Sequence, residues 1–332
     1  MIWVQFIIST VVIVAAASML ARYGDIIAAR TNLGGLFIGT LLLAGATSLP
    51  ELLTAINSIN LGVPDLTVGN FFGSSMFNMF MIGILDLFYR KGRILKRAAV
   101  NHALTAGIAV FLTGLAVFFI ESKIEFRIAW IGVDSLLIMG FYFFGTYLLQ
   151  MSNSTNSAAV EAAVEIDLSG LPSLRHALIG FGTATLVLVF ITPVLVNSSV
   201  GIAEQTGLST GFVGVALVAV VTSLPEVVTT IAAVRIGAFD LAVGNLFGSN
   251  VFNIFALGIS DIFYSGGALL VDLNPALALA GELALLMTVL ALIGNLARVE
   301  RRLAGVVEVD AILIVLFYIG GMAFLYTQGI GI

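Results

Sequence analysis

Two copies of one pentapeptide, Thr47-Ser48-Leu49-Pro50-Glu51 and Thr222-Ser223-Leu224-Pro225-Glu226, each set a carboxylate beside a proline inside a long apolar run. Around the first copy, Thr40, Ala44, Thr47, Glu51 and Thr54 follow one another at spacings of four and three, which places them on one helical face. Ala219, Thr222, Glu226 and Thr229 repeat the core of that stripe. Further along, Asn70, Ser74 and Asn78 are four apart, as are Asn245, Ser249 and Asn253. Proline has no N–H, and its ring clashes with the carbonyl four residues back. Pro50 therefore deprives the Ala46 carbonyl of its helical partner, with the carbonyls of Ala44 and Thr47 close enough to turn off axis. Pro225 does the same near Ala219, Val221 and Thr222. In hydrocarbon a freed carbonyl must find another partner, and a cation is one. Carboxylates, hydroxyls, amide oxygens and carbonyls, without a nitrogen or sulfur ligand, form a donor set for hard cations such as Ca²⁺ and Na⁺.

The charges point the same way. An unpaired charge at a bilayer midplane costs about 2.5–3.5 kcal/mol on insertion scales, and no Lys or Arg stands at the depth of Glu51 or Glu226. One Ca²⁺ neutralises both carboxylates, and so do two Na⁺ or protons. A site that different ions fill in alternation can exchange them, because it crosses filled and crosses poorly when empty and doubly charged.

Other polar residues have plainer readings. Ser48, Ser223, Thr54 and Thr229 have the alternative of bonding back to their own backbone. Asp65 and Asp240 are expected as N-caps. Asp134 and Asp310 fall in first turns, where the helix dipole favours an acid. Asp86 and Asp261, near span ends, are expected to be structural, and Glu282, unmatched in the other half, is not expected to be a ligand. His102 and His176 are expected at interfaces rather than on a metal. The absence of cysteine excludes disulfides, thiolate metal sites and thiol nucleophiles.

These residues must be positioned by membrane helices. Of 332 residues, 60% are hydrophobic and 10% charged, with a mean hydropathy of +1.12, whereas a soluble domain carries about 25% charged residues. Apolar runs of spanning length recur along the whole chain. The expected fold class is an all-α polytopic membrane protein with ten transmembrane helices, at about 2–20, 33–59, 65–88, 98–120, 127–149, 175–198, 208–235, 240–263, 275–296 and 307–327. Met1 to Gln5 carries no positive charge, so the first run reads as a span rather than a signal peptide. No basic tract suits nucleic acid.

Lys and Arg give the orientation. Arg22, Arg30, Arg90, Lys91, Arg93, Lys96, Arg97, Arg175, Arg235, Arg298, Arg301 and Arg302 lie in odd-to-even loops, and only Lys123 and Arg127 lie on the other side. Both termini are then expected outside the cytoplasm of a cell membrane. The loop at 150–174, acidic through Glu161, Glu165 and Asp167, is expected inside. The cluster from Arg90 to Arg97 reads as a topology anchor. The glycosylation-type triplets at Asn153 and Asn197 lie on the wrong side and at a membrane boundary, respectively.

Gly39–Asp86 aligns without gaps with Gly214–Asp261, with 25 of 48 positions identical. A second echo pairs Val133-Asp134 with Val309-Asp310. The chain is therefore expected to comprise a first five-helix repeat at 1–149 with its core at 39–86, the loop at 150–174, and a second repeat at 175–332 with its core at 214–261. Five is odd, so the second repeat is inverted. Inverted repeats are a transporter architecture with the site near the midplane. A cation channel fits that symmetry poorly, and an enzyme lacks a zinc motif, a Ser–His pair at matching depth and a nucleotide loop.

The paired motifs T-S-L-P-E…G-N-F-F-G-S-S-M-F-N and T-S-L-P-E…G-N-L-F-G-S-N-V-F-N, with ten spans and an outside start, resemble the sodium/calcium exchanger branch of the cation/calcium antiporter superfamily. The resemblance implies that Glu51 and Glu226 hold Ca²⁺ and share Na⁺, and that the carbonyls of Thr47 and Thr222 complete the Ca²⁺ site. It implies flanking Na⁺ sites at Ala44 and Ser74, and at Ala219 and Ser249, with Ser48 and Ser223 lining the cavity. It also implies sliding of spans 1 and 6 across the other eight. Some members carry Asp where Asn253 stands; here Asn78 and Asn253 are both neutral amides, which argues against potassium dependence. The resemblance implies Ca²⁺ and Na⁺ as transported ions, no cofactor, no enzyme activity, and no partner beyond the lipid bilayer. A proton-coupled antiporter for Ca²⁺, or one moving Mg²⁺ or Mn²⁺, keeps the same fold.

Overall fold

The computed structural model describes residues 1–31, 44–88, 101–160, 171–297, 302–303 and 307–328. Helix α1 is Ile2–Thr31. Residues 44–47 are helical and pass through a turn at Ser48 into α2, Leu49–Asn60. Then come α3, Pro64–Phe88, α4, Asn101–Ser122, α5, Val133–Val160, and α6, Leu174–Thr206. Helix α7, Thr210–Thr222, meets α8, Leu224–Arg235, at a bend of 42°. Helices α9, Phe239–Ser260, α10, Leu277–Ala297, and α11, Val309–Thr327, follow. Two short antiparallel hairpins, Arg127–Ile128 with Ile131–Gly132 and Arg302–Leu303 with Val307–Glu308, precede α5 and α11.

Among the described residues, eight helices are long and apolar enough to cross a membrane, and the bent α7–α8 pair makes a ninth. The polarity is that of a multi-pass membrane protein. Trp3, Phe111, Phe143, Phe190 and Ile319 face outward, while Glu51, Asn70, Ser74, Glu226 and Asn253 are buried. Lipid is as apolar as leucine, so polar side chains gather inside, where they find partners.

Helices α3 and α9 are the most enclosed spans. Helix α3 packs on α2, α7, α9, α10 and α11, and α9 on α2, α4, α5 and α8. Phe71, Phe72, Met76, Leu246, Phe247 and Leu257 fill the larger apolar core between them. Helices α1 and α6 pair closely with each other. They meet the remainder over a second, separate apolar cluster of Phe6, Ile13, Leu20, Leu188, Leu195 and Ile202 with Ala46, Val213 and Val218. A polar tie also crosses this boundary, from Asn57 Nδ2 to Thr192 Oγ1 at 3.0 Å.

Several boundaries differ from the sequence expectation. Helix α1 runs past 20 to Thr31; Ala28, Ala29 and Arg30 favour helix at its end, and the Arg30 guanidinium bonds the carbonyls of Leu171 and Pro172. Helix α6 runs past 198 to Thr206, where Gly207 takes the left-handed conformation (φ 73°) that ends a helix. Its start is capped by Ser173, whose hydroxyl accepts from the His176 N–H. The fifth and tenth spans begin at Val133 and Val309, after the hairpins. Helix α5 continues to Val160, so the 150–174 segment begins as helix. The acids at 161–167, the Arg90–Arg97 cluster, Arg298, Arg301, Thr40 and the start of the expected second span lie outside the described residues.

Asp65 and Asp240 are not N-caps. Both sit inside first turns; Asp65 accepts instead from the Asn274 N–H at 3.1 Å, and Asp240 lies 3.4 Å from His102 Nε2. Asp261 is structural as expected. Its two oxygens accept the N–H groups of Gly132 and Leu269, each at 2.7 Å, which fastens the first hairpin to the end of α9. Asp261→Asn turns an amide N–H₂ toward one of these donors. It should destabilise the protein by about 2 kcal/mol. Thermal unfolding in detergent reads this, and an unchanged midpoint would contradict the fastening role.

Candidate functional site

Ser48 and Ser223 share one backbone geometry, φ −88° with ψ 8° and 1° respectively, and a proline follows two residues after each. This is the sparsely populated bridge region, where site residues are often found. The reason is local. Pro50 and Pro225 cannot continue the upstream helix but fit the first turn of a new one, where an N–H is unpaired in any case. Each glutamate therefore enters the first turn of its new helix, where the helix dipole favours a negative charge.

The two glutamates meet through each other's serines. Ser48 Oγ donates to Glu226 Oε1 at 3.0 Å, and Ser223 Oγ donates to Glu51 Oε1 at 3.2 Å. Ser249 Oγ also reaches Glu226 Oε1, at 3.4 Å. Ser74 Oγ donates to the Ala219 carbonyl at 3.4 Å, and Thr222 Oγ1 to Asn70 Oδ1 at 3.0 Å. All twelve expected site residues, Ala44, Thr47, Ser48, Glu51, Ser74, Asn78, Ala219, Thr222, Ser223, Glu226, Ser249 and Asn253, are buried. The hydrogen bonds join Ser48 and Ser249 to Glu226 and Ser223 to Glu51, and they separately join Ser74 and Thr222 to the Ala219 carbonyl. Thr47 Oγ1 bonds back to the Ala44 carbonyl at 3.2 Å. That carbonyl also still accepts from the Ser48 N–H, so it has not left its helix.

Several acceptors of the site go unpaired. Glu51 Oε2, Glu226 Oε2, Asn78 Oδ1 and Asn253 Oδ1 are all buried without a hydrogen-bond partner. Buried acceptors are otherwise paired, and buried carboxylates are costly without a counter-charge. Among the described residues no Lys or Arg pairs with either glutamate. No cluster of three His, Cys, Asp or Glu side chains able to hold a metal occurs among the described residues either.

The backbone-bonding alternative holds for Thr229, whose hydroxyl bonds the carbonyls of Pro225 and Glu226. It fails for Ser48 and Ser223, which cross to the glutamates, and for Thr54, whose buried Oγ1 has no partner. Glu282 is exposed, away from the site. One central residue escaped the sequence reading: Asn250, buried between α3 and α9 and bonded to Asn78. Its signal was a mismatch, since Ser75 stands at the equivalent position of the other copy.

Close packing sets this geometry. Helix α7 carries one wide π-helical turn at Gly214–Val218. Gly69 and Gly73 of α3 lie directly on its backbone, and Gly214 lies on the Leu66 carbonyl. In the other half Gly248 of α9 packs on the Ala44 side chain.

The model of the family described as sodium/calcium exchanger protein matches residues 1–151 and 176–327. Inner membrane protein YrbG of Escherichia coli K12 is 26% identical over 270 residues, 78% of this chain and 79% of that protein. Sodium/calcium exchanger MaX1 of Methanosarcina acetivorans is 49% identical over 70 residues, 21% of this chain and 20% of that one. Ca²⁺/H⁺ antiporter ChaA of Bacillus subtilis is 26% identical over 305 residues, 86% of this chain and 84% of that one. Two solved structures share the fold, each at 20% identity and over 97% of this chain. Native YfkE gives a TM-score of 0.68 with 91% of its length covered, and the sodium-calcium exchanger NCX_Mj gives 0.62 with 99% covered.

Proposed function

Because the chain belongs to the sodium/calcium exchanger protein family, we propose that it is a secondary antiporter that exchanges Na⁺ for Ca²⁺ by alternating access. Glu51 and Glu226 bind the ions, with Thr47, Thr222, Ala44, Ala219, Ser48, Ser223, Ser74, Ser249, Asn78 and Asn253 around them. The observation that carries this reading is the set of four buried oxygens without donors, two from carboxylates and two from amides. Hard cations are partners for oxygens of both kinds. Ca²⁺ balances both carboxylate charges, and two Na⁺ do so equally.

The wider proposal is ten spans in two inverted repeats, at 1–149 and 175–332, with both termini outside the cell membrane and the 150–174 segment inside. Three matched pairs of features support the repeat: the identical breaks at Ser48 and Ser223, the reciprocal serine–glutamate bonds, and the hairpins before α5 and α11. The separate apolar cluster around α1 and α6 supports their sliding as a pair, since it is the boundary across which few directional bonds need to break.

A second reading has one specific support. Each glutamate keeps one buried oxygen without a partner, and a proton neutralises a buried carboxylate as a cation does. Proton coupling uses the same site, and the relative ChaA is named a Ca²⁺/H⁺ antiporter. The test is radioactive calcium uptake into proteoliposomes loaded with Na⁺ and diluted into Na⁺-free buffer, with protons balanced. Uptake that collapses when Na⁺ is placed on both sides is expected. Uptake only under an imposed pH gradient would replace sodium with protons.

A further inference from the structure

Asn250 sits between the two central helices and is buried, 1% exposed. Its amide makes two hydrogen bonds. Nδ2 donates to the backbone carbonyl of Ser75 at 3.3 Å, and Oδ1 accepts from Asn78 Nδ2 at 2.9 Å. The logic of donors and acceptors fixes three orientations in series. A backbone carbonyl can only accept, so Asn250 must turn its amino end toward Ser75. Its oxygen then faces Asn78, and Asn78 must present its own amino group in return. The Asn78 oxygen is left on the other side, buried and without a partner. Asn78 lies one turn along from Ser74, which contacts the Ala219 carbonyl, and two turns from Asn70, which meets Thr222. The freed oxygen is therefore on the face of α3 that builds the glutamate site.

We infer that Asn250 is a positioning residue that fixes which end of the Asn78 amide the transported cation meets. Unclamped, an asparagine amide offers a cation either an acceptor or a repelling N–H₂ group. The clamp removes the second choice. It is one-sided: Ser75 stands at the equivalent place in the other copy, and its hydroxyl has no partner, so it makes no such bond to Asn253. The two amide oxygens are thus held to different degrees. This inference rests on the ion-binding reading above and adds a residue that need not touch the ion.

The experiment is initial-rate uptake of radioactive calcium into proteoliposomes, as a function of calcium concentration. The proteins are the unaltered chain, Asn250→Leu, Asn78→Leu and the double variant. Asn250→Leu should raise the calcium KM about tenfold, the scale of one lost bond to a charged group, with little change in maximal rate. The double variant should match Asn78→Leu alone, because Asn250 acts through Asn78. A merely structural role would lower the maximal rate through loss of folded protein and would add to the Asn78→Leu effect. If Asn250→Leu does not fold, the double variant keeps the question open to measurement, since replacing both partners with apolar groups of similar shape is nearly neutral. An unchanged KM in folded Asn250→Leu, or a double variant worse than Asn78→Leu, overturns the inference alone. Absence of uptake by the unaltered chain under every gradient overturns the ion-binding reading, and this inference with it.

Discussion

Glu51→Gln and Glu226→Gln each abolish calcium uptake while the protein stays folded. Glutamine keeps the shape and an oxygen for the serine that crosses from the other half, so the bonds from Ser223 and Ser48 survive. What disappears is one of two buried charges. A divalent ion then faces a single carboxylate in a water-poor site, and an uncompensated buried charge costs about 3–5 kcal/mol. That corresponds to a loss of at least about 100-fold in apparent affinity. Folding is not expected to suffer, because an ion-free site with one carboxylate carries less unfavourable charge than a site with two. Two measurements check this. Uptake should fall to the background of empty vesicles. Calcium should raise the melting temperature of the unaltered protein by ligand linkage and leave that of either variant unmoved. Ordinary calcium flux in either variant would remove Glu51 and Glu226 from the ion site.

Gly73→Val should be strongly damaging although it lies outside the charged pair. A Cβ at Gly73 would lie 2.6 Å from the Val215 carbonyl oxygen, 2.7 Å from Val215 Cα and 2.7 Å from the Ala219 side chain. Two of these three obstacles are backbone, so they yield only if α3 and α7 separate. Overpacking of this kind costs about 1–3 kcal/mol, and valine asks for more room than a single methyl. The separation also pulls Ser74 from the Ala219 carbonyl and Asn70 from Thr222. Both stability and transport should therefore fall together, read by thermal unfolding and by calcium uptake. Gly140→Ala is the control: nothing lies within 4 Å of a Cβ there, and the change should be neutral. A Gly73→Val protein that melts and transports normally would show that the close approach of α3 to α7 is dispensable.

The membrane helices were legible because their signal is composition, which survives without knowledge of partners. Glu51 and Glu226 were legible because an acid beside a proline, twice, in an apolar run has few structural excuses. Periodicity put Asn70, Ser74 and Asn78 on one face, and the structure places the contacts of Asn70 and Ser74 on the α7 side. What spacing cannot supply is the far end of a bond. Ser48 could have bonded its own helix; that it reaches Glu226 depends on how two segments 178 positions apart are stacked. Asp65 and Asp240 had the composition of caps, yet their partners are Asn274 and His102 on other elements. The hairpin at Arg127–Gly132 was read as the start of a span because its aromatic and branched residues serve either purpose. Asn250 carries no repeat signal, because Ser75 stands at the equivalent position of the other motif.

Each glutamate takes its serine bond from the opposite copy. The two copies are therefore not free to drift apart. A substitution at Ser48 is felt by Glu226, and one at Ser223 by Glu51. Neither half could lose its serine and rely on its own glutamate to survive unaltered. Divergence between the two motifs is tolerated where a residue serves only its own motif and resisted where it serves the other. Genetic suppressors of damage at Glu226 should accordingly be sought around Ser48, in the half of the gene that does not encode the damaged residue.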